Sequence, residues 1–133
     1  MRRAEAHWWL AEVSMDLDRF DEAAKHLVLA APTILKEYGA GHSEYRRFRV
    51  HQALLAGWLG DVRAAQSIRP IFQSDNTTQK GLIFDVHRLD LVIAVQGAEC
   101  TKASNIRQNL VADNPRQRLL LVQLDRLMNR GCP

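Results

Sequence analysis

Residues that break helices are scarce in this sequence. Among its 133 residues there are four prolines and seven glycines, and most of them separate stretches in which apolar residues recur every three or four positions. That spacing is typical of one face of an α-helix. No stretch alternates apolar and polar positions with β-branched side chains, which is the pattern of a strand. The sequence therefore predicts an all-α protein.

Long apolar runs are absent as well. No stretch reaches the roughly 18 consecutive apolar residues that a transmembrane helix needs, so we expect no membrane partner. Arg2 and Arg3 are not followed by the apolar core of a signal peptide, which favours a cytoplasmic location. The helical pattern begins almost at the first residue, and we therefore expect this chain to be a fragment of a longer protein.

Cysteine is rare, and positive charge is in only small excess. Cys100 and Cys132 do not have the C-x-x-C spacing of a metal or redox site, and we expect both to be free thiols. The net charge of +3 is too small to indicate a nucleic-acid partner.

Patterns that carry catalysis or bind cofactors are also lacking. No two histidines are four residues apart, and there is no H-E-x-x-H motif, glycine-rich phosphate loop or G-x-S-x-G elbow. Acidic pairs such as Asp21 and Glu22 lie at predicted helix starts, where capping explains them. We expect no metal, no cofactor and no enzymatic activity.

Seven helices are predicted from apolar spacing and from residues that start or stop helices. Their expected ranges are residues 4–17, 21–36, 43–59, 61–74, 79–96, 101–112 and 115–129. Ser43, Asp61 and Thr101 are expected to cap the third, fourth and sixth helices, and Asn114 with Pro115 to start the seventh. The polar loop at 74–78 is expected to be the most mobile connection.

Single residues predict further details of these helices. Pro32 and Pro70 fall inside the second and fourth helices, and proline ends or bends a helix because it lacks an N–H. The first helix is expected to bury the apolar residues spaced three and four apart. These residues are Ala6, Trp9, Leu10, Val13 and Leu17.

An internal repeat is the most informative feature. Residues 18–24 align with residues 60–66 at a period of 42, which places Ala23 over Ala65. In both segments a tight turn is followed by an apolar residue and, three positions later, by alanine. Two helices that cross closely need a small residue at the crossing and an apolar residue at the turn. The period therefore indicates repeated helical hairpins.

The first of these hairpins resembles the tetratricopeptide repeat. The residues that match its pattern are Leu10, Ala11, Phe20, Ala23, Leu27 and Ala30. The second hairpin matches at Ala53, Val62, Ala65 and loosely at Phe72, but has Gln52 and Arg69 where the family has apolar residues. A third match, at residues 98–103, is weak. The long period and the linker at 38–44 are similar to the subtype in kinesin light chains and bacterial regulators.

The resemblance implies a fold for the whole chain. Residues 1–133 are expected to form one domain, a right-handed array of antiparallel helical hairpins of the α-solenoid type. The hairpins are expected at residues 4–38, 43–74 and 79–112, and residues 115–129 are expected to form the capping helix that such arrays need.

The resemblance also implies a function. In such arrays the first helices of the hairpins line a concave groove that binds a peptide or helix of a partner protein. The positions expected to face outward there are Glu5, Trp8, Glu12, Met15, Arg47, Val50, His51, Leu54, Trp58, Asp85, Arg88, Val92 and Gln96. The partner-binding residues predicted among them are Trp8, Glu12, Met15, Arg47, His51, Leu54, Trp58 and Arg88.

Three interpretations have alternatives that the sequence leaves open. Trp8 is either a binding anchor, with Trp9 in the core, or it packs inside the array. The arginines at 46, 47 and 49 either grip an acidic peptide tail or phosphate groups, or simply form a solvated helix face, and the solvated face is favoured. The apolar last helix is packed within the chain, forms a homo-oligomer, or covers a neighbouring segment.

The function itself also has an alternative. In this alternative the chain is an effector or sensory domain of a transcription regulator and not a scaffold module, with self-association as a further possibility.

Overall fold

The computed structural model describes residues 3–72 and 80–133, and over these ranges the chain is helical and contains no strand. The helices are α1 (Arg3–Asp16), α2 (Phe20–Tyr38), α3 (Ser43–Trp58), α4 (Val62–Ile68), α5 (Lys80–Gln96), α6 (Cys100–Asn109) and α7 (Pro115–Gly131). A 3-10 turn, Arg69–Phe72, follows α4. The all-α prediction is therefore confirmed for this part of the chain. The loop predicted at 74–78 lies outside the described residues.

Two of the predicted helix starts are confirmed. The Asp61 carboxylate accepts a hydrogen bond from the backbone N–H of Ala64 at 3.1 Å. The Asn114 side chain accepts one from the N–H of Gln117 at 2.8 Å, and Pro115 is the first residue of α7. Each bond satisfies an N–H that the first turn of a helix leaves without a partner.

Two other predicted caps are wrong. Ser43 is the first residue inside α3, and the cap is His42, whose Nδ1 accepts from the N–H of Glu44 at 3.0 Å. Thr101 lies inside α6, where Glu99 holds the cap position without a side-chain hydrogen bond. The preceding turn fixes where α6 begins, because Glu99 donates its own N–H back to Ala94.

The two prolines have different effects. Pro32 lies inside α2, and the helix continues past it to Tyr38. Of the two effects expected of Pro32, a bend or an early end of the helix, the early end is therefore wrong. Pro70 lies in the 3-10 turn, and α4 ends at Ile68. The sequence predicted only a bend there, within a helix that runs to residue 74. The α-helix ends instead, since proline cannot donate the next α-helical hydrogen bond.

Consecutive helices pack as pairs: α1 with α2, α3 with α4, and α5 with α6. Helix α3 also packs against α2 and α5, and α5 against α7. The approach of α3 to α5 is close, because a Cβ added at Gly57 would lie 2.8 Å from Cγ1 of Val92. One cluster of buried side chains joins α1, α2 and α3. A second cluster contains residues of α3, α4, α5, α6 and α7.

The turns inside the three helix pairs have the same backbone geometry. Asp18, Gly60 and Ala98 have φ angles of 62°, 87° and 58°. In each turn the next residue donates its N–H, over 2.8 Å, to the carbonyl five residues back. This is the hydrogen bond of a Schellman motif. Five residues after each positive φ stands a fully buried alanine, and these alanines are Ala23, Ala65 and Ala103.

The sequence predicted the wrong buried face for α1. Trp9 is 56% exposed, and Leu10 and Leu17 are exposed as well. The buried residues of α1 are Ala4, Trp8, Ala11, Ser14 and Met15. Apolar side chains occur on both sides of this helix, so their spacing alone does not decide which side packs. The packing of α2 and α3 against α1 decides it, and the small side chain of Ala11 permits the close approach of α2.

Helix α7 packs within this chain. Leu120, Leu124 and Leu127 are buried against the second cluster, whereas Leu119 and Val122 are exposed. Burial within the chain was the first of the three interpretations of the last helix, and it is confirmed for the buried side. Self-association through this helix stays a prediction.

The polar side of α7 is tied to the end of α1. The contacts are Arg116 Nε to Asp16 Oδ2 at 2.8 Å, Arg126 Nη2 to Asp18 Oδ2 at 3.1 Å, and Gln123 Nε2 to the Met15 carbonyl oxygen at 2.8 Å. The last helix therefore contacts the first as well as its neighbours α5 and α6.

The expectation of two free thiols is wrong. Cys100 and Cys132 form a disulfide whose Cα atoms are 5.5 Å apart. The bond joins the first residue of α6 to the residue that follows α7. Spacing in sequence did not indicate it because the pairing depends on α6 and α7 lying side by side.

Candidate functional site

A cleft of about 310 Å³ lies where α1, the end of α2 and the start of α3 meet. We call it the aromatic cleft. Its lining residues are Glu5, Trp8, Trp9, Glu12, Tyr38, Glu44 and Arg47. Helix α1 supplies four of them at steps of three and four residues, which places them on one side of the helix. The cleft thus combines three aromatic rings, three carboxylates and one guanidinium.

Trp8 forms the floor of the aromatic cleft. Its indole N–H donates to Nδ1 of His51 at 2.8 Å, and its ring meets that of Phe48 edge to face with centroids 5.4 Å apart. The side chain is 7% exposed. A ring held by one hydrogen bond and by an edge-to-face contact loses little further freedom when a ligand packs on it.

Arg47 lies over this floor. The carbon of its guanidinium is 5.7 Å from the centroid of the Trp8 ring, within the range of a cation–π interaction. Its Nη1 is 3.4 Å from Oε1 of Glu44, and its side chain is 40% exposed. The cleft therefore already holds one cation against an aromatic face.

Glu5 and Tyr38 form the wall on the side of α2. The Tyr38 hydroxyl donates to Oε1 of Glu5 at 2.6 Å. This hydrogen bond raises the pKa of Tyr38, because the nearby carboxylate disfavours a phenolate. The bond ties the end of α2 to the start of α1 and so fixes the width of the cleft.

A buried polar cluster lies beneath the aromatic cleft. Nδ1 of His51 is 3.2 Å from Oε1 of Glu12, and its Nε2 is 3.6 Å from Oδ2 of Asp85. Oδ1 of Asp85 accepts from Nη2 of Arg88 at 3.0 Å. Because the Trp8 N–H can only donate, Nδ1 of His51 is its acceptor and the ring proton lies on Nε2, facing Asp85.

Asp85 is the anion of this cluster. Burial by itself would raise the pKa of its carboxyl, but the charges of Arg88 and Arg116 and the hydrogen bond from His51 together lower that pKa to about 2. The cluster joins α1, α3 and α5 under the floor of the cleft.

The predicted partner-binding residues fall into three groups. Trp8, Glu12 and Arg47 line the aromatic cleft. His51 and Arg88 belong to the cluster beneath it. The remaining residues lie elsewhere: Met15 and Leu54 are in the core, and Trp58 is half-buried, stacked on Phe20 with centroids 5.0 Å apart.

All eight residues were predicted to be exposed, and for most of them this prediction is wrong because they are buried. Those that are buried are Trp8, Met15, His51, Leu54 and Arg88. Helices α1, α3 and α5 pack too closely to leave an open face along their whole length, and α7 contacts both α5 and the end of α1. What stays open is the end near the aromatic cleft. Whether these residues bind a partner stays a prediction.

Trp9, Tyr38 and Glu44 were not among the predicted binding residues. Two adjacent tryptophans did indicate that one ring lies away from the core. Trp8 packs inside, which is the second of its two interpretations, and Trp9, expected in the core, is the exposed ring. Nothing in the sequence places Tyr38 beside α1, since that contact depends on how α2 crosses α1.

A second cleft, of about 500 Å³, lies between the end of α4 and helices α5 and α6. Arg69 crosses it and pairs with Asp90 through two hydrogen bonds, of 2.6 and 3.1 Å. The charges of Arg69 and Asp90 therefore neutralise each other within this second cleft. No tryptophan is among its lining residues. The aromatic cleft is the stronger candidate.

Two kinds of site are not found in the described parts of the chain. Within residues 3–72 and 80–133, no three His, Cys, Asp or Glu side chains lie together in a way that holds a metal ion. Over the same ranges, no helix combines the length and apolar character that a bilayer crossing needs.

No protein-family model matches this chain, and neither a curated protein nor a solved structure does. The function must therefore be inferred from the geometry of the chain itself.

Proposed function

We propose that this chain is a tetratricopeptide-like module that binds a peptide or helix of a partner protein in the aromatic cleft and catalyses no reaction. The observation that carries the proposal is the exposed ring of Trp9 beside the fixed ring of Trp8, in a cleft with charged walls. Tryptophan is enriched among the residues that dominate binding energy at protein interfaces. A partner that covers this ring removes its apolar surface from water, which favours binding.

The repeated turns support a hairpin array. Three Schellman turns, each followed by a buried alanine, are what stacked copies of one hairpin produce. In the first hairpin Ala11, Leu27 and Ala30 are also buried, in agreement with the tetratricopeptide pattern, whereas Leu10 is exposed and departs from it. The proposed arrangement is a right-handed stack of three hairpins with α7 as its cap.

The burial of the polar cluster supports a role without catalysis. His51 and Asp85 are the residues best suited to acid–base chemistry, and both are buried beneath Trp8. A general base must come within hydrogen-bond reach of its substrate. Here Trp8 lies between the cleft and His51 and occupies the ring nitrogen that a substrate would need.

The cytoplasmic location expected from the sequence stays a prediction. The disulfide between Cys100 and Cys132 bears on it, because structural disulfides persist mainly in oxidising compartments.

Selection from a random peptide library tests the proposal. The folded domain is immobilised, bound peptides are enriched over several rounds, and their affinities are measured by fluorescence anisotropy. We expect enriched peptides whose affinity falls at least about tenfold in Trp9→Ala, as expected for a tryptophan anchor. Circular dichroism should show the variant folded, because Trp9 is largely exposed.

The matched control is Leu29→Ala, which removes another exposed apolar side chain outside the aromatic cleft. Its peptide affinity should equal that of the wild type. A library that yields no binder, or binders that tolerate Trp9→Ala, would contradict the proposal.

A further inference from the structure

We infer that the segment recognised by the aromatic cleft is basic and that an arginine or lysine side chain of the partner enters the cleft. This inference rests on the proposed function and adds the chemistry of the ligand. It depends on the local charge, on the aromatic surfaces and on the position of Arg47.

The local charge of the cleft opposes that of the whole chain. Glu5, Glu12 and Glu44 face a single guanidinium, that of Arg47, whereas the chain as a whole carries a net charge of +3. A concave surface that concentrates carboxylates attracts cations and repels acidic peptides. An apolar peptide would cover these carboxylates without offering them a hydrogen bond, which costs free energy.

The aromatic surfaces suit a cation as well. The ring of Trp9 is largely exposed at the cleft, next to the carboxylates of Glu5 and Glu12. A guanidinium or ammonium stacks on an indole face and at the same time donates to a carboxylate. This pairing of an indole face with carboxylates is the surface that a cationic side chain requires.

Arg47 shows how a cation fits the site. Its guanidinium lies over Trp8 and contacts Glu44 only at the long distance of 3.4 Å, and the side chain is partly exposed. Its positive charge therefore repels a second cation that enters the cleft to stack on Trp9. Removing its charge should strengthen the binding of a basic peptide and weaken that of an acidic one.

Nuclear magnetic resonance with three synthetic peptides tests the inference. The probes are acetyl-Gly-Arg-Gly-Arg-Gly-amide, its twin with citrulline in place of arginine, and its twin with glutamate. The indole N–H signals of the three tryptophans report on binding. We expect the arginine peptide to shift the Trp9 signal, more at low salt than at high salt, and the two twins to have little effect.

Variants at the cleft sharpen this test. Glu5→Gln keeps the acceptor for Tyr38 and should weaken the arginine peptide about threefold, as loss of one partly exposed ion pair does. Arg47→Gln should strengthen it by about the same factor. The matched control is Glu22→Gln, at the opposite end of α2 and exposed, which should leave the affinity unchanged.

The outcomes separate this inference from the proposed function. Equal binding of the arginine and citrulline peptides, preference for the glutamate peptide, or weaker binding in Arg47→Gln would overturn the basic ligand. Library peptides that depend on Trp9 but lack basic residues would also overturn it, while the proposed function stood. A library without any binder contradicts the proposed function itself.

Discussion

At the scale of single residues, the three equivalent turns use different amino acids for the same backbone angle. Gly60 adopts its positive φ without strain, because glycine has no Cβ. Asp18 belongs to a residue type that tolerates this region, and its carboxylate is held by Gln123 and Arg126. Ala98 has neither advantage, and its side chain is exposed.

Replacing Ala98 by glycine should therefore stabilise the protein. We expect Ala98→Gly to raise the free energy of unfolding by roughly 0.5 to 1 kcal/mol, because it removes the left-handed strain of alanine and loses some of that gain to a more flexible unfolded chain. Gly60→Ala should lower it by about 1 kcal/mol. Urea unfolding of both variants measures the change.

Ala40→Gly is the matched control for Ala98→Gly. Ala40 is also an exposed alanine between helices, but it is not among the residues with positive φ. Glycine there only adds freedom to the unfolded chain and should slightly destabilise the protein. Equal effects of the two substitutions would contradict the idea that Ala98 is strained.

At the scale of elements, α7 is fastened at both ends. The disulfide joins its end to the start of α6, and Arg116 near its start pairs with Asp16 of α1. The two cysteines are 32 positions apart in sequence. A disulfide that closes a loop of this length stabilises a fold chiefly by restricting the unfolded chain.

Opening the disulfide should lower the free energy of unfolding by about 3 kcal/mol. Chemical denaturation of Cys132→Ser should show this loss, and the wild type in reducing agent should match it. The variant itself should not respond to reducing agent. A wild type whose unfolding midpoint ignores reduction would show that the bond is not formed in solution.

Much of the element structure was predictable from local chemistry. The starts at Asp61 and Asn114 depend on groups within a few residues of each other. The buried side of α1 was not predictable, because Trp8 and Trp9 both begin apolar stripes and only the packing of α2 and α3 selects one. The cap at Thr101 failed for a similar reason, since the preceding turn sets the start of α6.

At the scale of the whole molecule, the cluster of Glu12, His51, Asp85 and Arg88 joins α1, α3 and α5 beneath the cleft. Sequence alignment placed Glu12, Arg47 and His51 on a common face, because the repeat period relates their positions. It did not predict that this face closes, since closure depends on α5 and α7 packing across it. The place of Tyr38 was not predictable either, since it depends on how α2 crosses α1.

This cluster makes the free energy of unfolding depend on pH in the acid range. The pKa of Asp85 is lowered from 3.8 to about 2 in the folded protein, so its contribution is complete above about pH 4 and is lost as pH falls towards 2. That contribution is roughly 2 kcal/mol. The difference in unfolding free energy between wild type and Asp85→Asn should shrink over this window.

A titration of the wild type checks the same prediction without a variant. The carboxyl carbon signal of Asp85 should have its midpoint near pH 2, well below the usual value of 3.8 for an aspartate. A midpoint near 4 would contradict the ion pair with Arg88 as the source of the shift.

The contacts between α7 and α1 have a consequence for how the chain folds. Arg116 and Asp16 are 100 residues apart in sequence, whereas each hairpin joins residues that are close neighbours along the chain. Contacts between near neighbours form early, and those that close a long loop form late. The hairpins can therefore fold as they leave the ribosome, and the end of α1 gains its partner only when the last helix has been synthesised.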